Sequence, residues 1–116
     1  KRPFIFNVNW FKLDKDGKFL WPGFSENMRV LKWIFERVHG QADVHETALG
    51  RMPIYEEIDW SGLETFTKER FGQLMEIDSE LWKHELELHT ELFEKLGERT
   101  PDALLKTRES LLRRLN

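Results

Sequence analysis

Residues 4–11, FIFNVNWF, alternate cleanly: Phe4, Phe6, Val8 and Trp10 fall on one face and Ile5, Asn7, Asn9 and Phe11 on the other. That period of two predicts a strand with one apolar and one mixed face. The Asp-Gly pair closing DKDG, residues 14–17, predicts a reversal, so KFLW at 18–21 returns as the second arm of a hairpin. With Gly17 in the left-handed region, residues 13 and 19 face each other, and Phe11, Leu13, Phe19 and Trp21 share a face. An apolar strand face this exposed in sequence needs a sheet to lie in, which suggests a piece of something larger.

The period then changes. From Glu26 to about Val38 the apolar positions Met28, Leu31, Phe35 and Val38 recur at helical spacing, opposite a stripe of Arg29, Lys32 and Glu36. Ser25 is the expected N-cap and Gly40 lies just beyond the end. Residues 39–62, punctuated by Gly50, Pro53 and Gly62, read as an irregular surface connector. A short helix is predicted at about 67–75, with Thr65 or Thr67 at its start. Trp82, Leu86, His89, Phe93 and Leu96 predict a long helix between a cap at Asp78 or Ser79 and a stop at Gly97. Thr100 before Pro101 predicts a final N-cap, and Leu104, Leu105, Leu111, Leu112 and Leu115 a last helix packed antiparallel on the previous one. The fold class is therefore α+β and mostly helical: an N-terminal β-strand or hairpin followed by about four α-helices. As one segment it divides into strand and hairpin at 1–24, helix at 25–40, connector at 41–63 and a helical part at 64–116.

The length of 116 residues allows one domain with a modest core. No apolar run approaches the roughly 20 residues of a membrane helix, so a soluble chain is expected, with no membrane partner. With no cysteine, disulfides and thiolate metal sites drop out, and a reducing, cytoplasmic setting fits. The net charge of -3 argues against a nucleic-acid partner. Its distribution is uneven: residues 1–37 carry 8 Lys and Arg against 4 Asp and Glu, and 9 of the 15 aromatic residues. Positive charge and rings thus coincide in the half that could face an anion.

Candidate chemistry is sparse elsewhere. His84 and His89 lie about 140° apart around a helix and no HExxH pattern occurs, so they read as surface histidines rather than metal ligands. Neither GxxxxGK[ST] nor GxGxxG is present, and any nucleotide would need its phosphates held elsewhere. No GxSxG elbow supports a hydrolase. What remains is the bend FLWPGFSEN, residues 19–27, with Trp10 and Phe11. Its rings can form a small core for the hairpin, or a slot in which a planar base stacks for about 1–3 kcal/mol per partner. Asn27, at the first turn of a helix, offers both donors and an acceptor to a purine edge.

NVNWF at 7–11, GKFLWPGFSEN at 17–27 and RVLKW at 29–33 together resemble the C-terminal part of GTP-dependent phosphoenolpyruvate carboxykinase. The resemblance is strongest over residues 4–40 and looser toward the end. It implies a segment of a two-domain α/β carboxykinase, a lyase and decarboxylase of gluconeogenesis that converts oxaloacetate and GTP to phosphoenolpyruvate, GDP and carbon dioxide. By the same resemblance Phe11, Phe19 and Phe24 are ring contacts to guanine and Asn27 reads its edge, while Trp10, Pro22 and Gly23 belong to the scaffold. Ser25 departs from the family pattern, where glycine is common.

The resemblance further implies a divalent cation, manganese or magnesium, bound with the phosphates and oxaloacetate by residues outside these 116. Phosphoryl transfer needs cationic groups holding the phosphates in line, so the segment alone is expected to be inert. GTP or GDP through its guanine, and oxaloacetate or phosphoenolpyruvate, are the partners of the whole enzyme, expected to be a monomer, whereas the isolated piece could self-associate through its apolar strand face. A competing reading is an autonomous interaction domain that grips a partner protein with its aromatic bend.

Overall fold

A computed structural model describes residues 2–116, about 53% of them helical, as a mixed α+β structure. The chain divides into two compact units, one of residues up to 46 with 51–76, the other of 47–50 with 77–116.

The first unit is built on aromatic rings. Helix α1, Asn27–Val38, sets Trp33 into a core with Ala42, Ile58, Phe66 and Phe71, flanked by Phe6, Ile34, Tyr55, Trp60 and Leu63. The buried side of α1 is therefore the Trp33 side, not the predicted stripe of Met28, Leu31, Phe35 and Val38, all of which are exposed. Both faces of α1 carry apolar residues, so periodicity could not choose between them, and the larger indole takes the core. Ser25 does not cap this helix: a 3-10 turn, Phe24–Glu26, leads into it, and the Ser25 hydroxyl donates to Glu26 Oε1 instead.

Residues 4–11 form no strand. Asn9 Oδ1 accepts the Phe11 amide at 3.0 Å, a local turn that takes a donor the ladder would have used. The DKDG reversal does form: Gly17 has φ 76°, the Asp14 amide donates to Lys18 O at 2.8 Å, and Leu13 and Phe19 make an antiparallel bridge. The pairing stops there. Trp21 is buried like Leu20 before it, whereas Phe11 and Phe19 are exposed, so Trp21 leaves the face those two share.

The ladder lies instead in the stretch predicted to be irregular, where β1, Val44–Thr47, pairs antiparallel with β2, Gly50–Pro53. Its turn has no Asn-Gly signal; the Thr47 hydroxyl donates to Gly50 O at 2.7 Å and accepts the Leu49 amide at 3.2 Å. Helix α2, Lys68–Met75, starts at Thr67, whose side chain accepts the Arg70 amide.

In the second unit α3, Ser79–Leu96, begins with Asp78 accepting the amides of Glu80 and Leu81 and stops at Gly97, φ 53°. Helix α4, Asp102–Leu115, packs back on it with Leu86 and Leu115 buried. Arg108 reaches across to Leu86 O, at 2.8 and 3.0 Å, and to the Thr90 hydroxyl. Thr100 is not the N-cap of α4. It donates to Phe93 O at 3.2 Å, closing the end of α3, and α4 begins after Pro101.

Candidate functional site

The 14–17 reversal and its single bridge bring Phe11 and Phe19 together, with ring centroids 6.1 Å apart and planes at 65°. Edge-to-face geometry is what two ring quadrupoles prefer without a guest. Both rings are open to solvent, Phe11 71% and Phe19 56% exposed, so they are not a core for the hairpin. Phe24 is 91% exposed, opens the 3-10 turn after Gly23 and touches no other ring among the described residues. Gly23 has φ 138°, a backbone conformation side-chain-bearing residues rarely adopt, which explains the glycine after Pro22.

Asn27 is the first residue of α1 and half-buried. Its Oδ1 accepts a hydrogen bond of 2.8 Å from Trp21 Nε1. Trp21 is 5% exposed and packs against Trp10, Trp60 and Phe66, with centroids at 5.4, 6.3 and 6.0 Å. The asparagine is thereby tied through one indole to the aromatic core. Trp10, half-buried, belongs to this support and not to the exposed ring pair.

Three cationic side chains secure the surroundings. Lys12 Nζ donates to the carbonyls of Gln73, Leu74 and Glu76 at 3.1, 3.1 and 2.7 Å, tying the hairpin to the end of α2. Arg70 reaches Phe19 O and Leu20 O at 3.4 and 3.5 Å. Arg29 pairs with Glu26 and donates to Asp59 O and Ser61 O, holding the start of α1. The Arg29 hydrogen bond keeps the Glu26 carboxyl below its ordinary pKa. Lys12 and Arg70 carried no sequence signal and Trp21 was expected on the Phe11 and Phe19 face, because each acts through partners 6 to 64 residues away.

Among the described residues no three His, Cys, Asp or Glu side chains converge on a position for a metal ion. His84 Nδ1 lies 3.1 Å from Glu87 Oε2 on an exposed face of α3. No helix is long and apolar enough to cross a membrane.

Phe11 and Phe19 are brought together, Phe24 stands apart from that ring pair, and the Asn27 carboxamide is held by Trp21. A family model, the phosphoenolpyruvate carboxykinase C-terminal P-loop domain, matches residues 1–114, and the chain belongs to that family. Among curated proteins it is 46% identical over 113 residues to phosphoenolpyruvate carboxykinase [GTP] of Anaeromyxobacter dehalogenans (strain 2CP-1 / ATCC BAA-258), covering 97% of this chain and 19% of that protein. It is 41% identical to the protein of the same name from Arthrobacter sp. (strain FB24), covering 97% and 18%. The match to that of Corynebacterium efficiens is 39%, covering 99% and 19%. The chain thus spans about a fifth of the length of these relatives.

Proposed function

We propose that these residues are the base-recognition part of a GTP-dependent phosphoenolpyruvate carboxykinase, the C-terminal segment of its nucleotide-binding domain. Phe11, Phe19 and Phe24 supply the stacking surfaces and Asn27 reads the guanine edge. The observation carrying this reading is that Phe11, Phe19 and Phe24 of the motif are solvent-exposed while its Asn27 is anchored through Trp21. The whole enzyme converts oxaloacetate and GTP to phosphoenolpyruvate, GDP and carbon dioxide, a gluconeogenic reaction of the cytoplasm.

The residues here bind and orient the base and leave the chemistry to others. The divalent cation, manganese or magnesium, would neutralise phosphate charge during transfer, and its ligands lie outside this chain with those for the phosphates and oxaloacetate. The isolated segment is accordingly inert. Asn27→Ala in the full polypeptide tests the assignment. An adenine edge facing Asn27 leaves buried polar groups mispaired, at about 1–3 kcal/mol each, and that penalty disappears with the carboxamide. The ratio of kcat/KM for GTP to that for ATP should fall about tenfold or more, while an unchanged ratio removes Asn27 from the role. The same substitution strips Trp21 of its acceptor, so a stability loss of about 1–3 kcal/mol accompanies it.

A further inference from the structure

An asparagine is ambivalent toward purines. Its carboxamide presents an acceptor on one side and donors on the other, and a half-turn about the terminal bond exchanges them. A freely rotating Asn27 could donate to the O6 of guanine or accept from the amino group adenine carries at the same place. Asparagine at this position therefore does not by itself account for discrimination.

Trp21 removes the ambivalence. An indole nitrogen only donates, so the atom 2.8 Å from Trp21 Nε1 must be the amide oxygen. Turning the amide would set two donors against each other, and Trp21 is buried among Trp10, Trp60 and Phe66, with Asn27 Oδ1 as the acceptor of its N–H. Asn27 Nδ2 makes no hydrogen bond among the described residues and is not a buried unpaired atom. The geometry points to Trp21 as a positioning residue for nucleotide specificity: its indole N–H pins the Asn27 carboxamide so that only donors face the base, selecting a purine with an acceptor at that edge. The inference rests on the base-reading role proposed for Asn27.

Trp21→Phe, Asn27→Ala and Asn27→Asp in the full polypeptide test it, with kcat and KM measured for GTP and ATP. Trp21→Phe keeps an aromatic ring and deletes the donor. With the amide free to turn, the GTP-over-ATP ratio of kcat/KM should fall about tenfold, partly through a lower KM for ATP. A merely structural role would weaken both nucleotides alike and leave the ratio at its parent value, which overturns the proposal. Asn27→Asp keeps an oxygen for Trp21 but turns an acceptor outward, so its ratio should fall below that of Asn27→Ala. A ratio at or above that of Asn27→Ala overturns the proposal even where Trp21→Phe fails to fold. If Asn27→Ala itself leaves the parent ratio, the base-reading role falls and the pin with it. If Asn27→Ala lowers the ratio while Trp21→Phe does not, base reading stands and only the pin is lost.

Discussion

Lys12 holds the hairpin that carries Phe11 and Phe19, and its removal should loosen the end of α2. The last carbonyls of a helix lack intrahelical partners and form the negative end of the macrodipole, and Lys12 donates to three in this region. A hydrogen bond from a charged donor nets about 1.5–3 kcal/mol, so three would exceed about 4 kcal/mol if nothing opposed them. Burial of the ammonium does oppose them: it is the leading cause of a pKa lowered from the ordinary 10.5, with Glu76 pulling the other way. The Gln73 and Glu76 residues are exposed and regain water when the lysine leaves. A net cost of about 2 kcal/mol for Lys12→Met is the balance. Native-state hydrogen exchange on the full polypeptide reads this locally: protection of amides in the last turn of α2 should fall about 30-fold, with α3 unaffected. Because the folded-state pKa lies below 10.5, the unfolded chain holds more protons between the two values, so the Lys12 contribution increases as pH rises through that window. Loss of less than about threefold in protection, or a contribution that shrinks with rising pH there, refutes the reasoning.

Two further outcomes follow from other parts of the chain. Leu86, 1% exposed between α3 and α4, should cost about 3 kcal/mol when truncated to alanine, seen as loss of exchange protection along both helices, whereas Leu86→Met should cost under about 1.5 kcal/mol. The Asp59 carboxylate accepts from the Ser61 hydroxyl at 2.6 Å, the Ser61 amide at 3.0 Å and Lys32 at 3.2 Å, and these hold its pKa well below the ordinary 3.8. Its stabilising contribution is present above pH 3.8 and is lost as pH falls through the depressed folded value; a carboxyl-carbon NMR titration with a midpoint at or above 3.8 would contradict this.

What the sequence determined by itself was local. Four helices, the caps of α2 and α3 to within two candidates each, the Gly97 stop and the Gly17 reversal with residues 13 and 19 opposed all follow from contacts within a few residues, and the structure chose Thr67 and Asp78. The motif around FLWPGFSEN likewise sufficed to indicate the family. Tertiary structure decided what depends on distant partners. Alternation in FIFNVNWF yielded no strand, because a strand exists only with a ladder partner and Asn9 took the Phe11 amide locally. A ladder formed instead at 44–53 around a threonine turn. Helix α1 turned Trp33 inward because ring packing with Phe66 and Phe71, over 30 residues away, outweighed a stripe of smaller side chains. The bend at 19–27 shows both influences. Sequence placed its rings and its asparagine in order, while the fold turned Trp21 inward and thereby set which end of the Asn27 carboxamide faces the core.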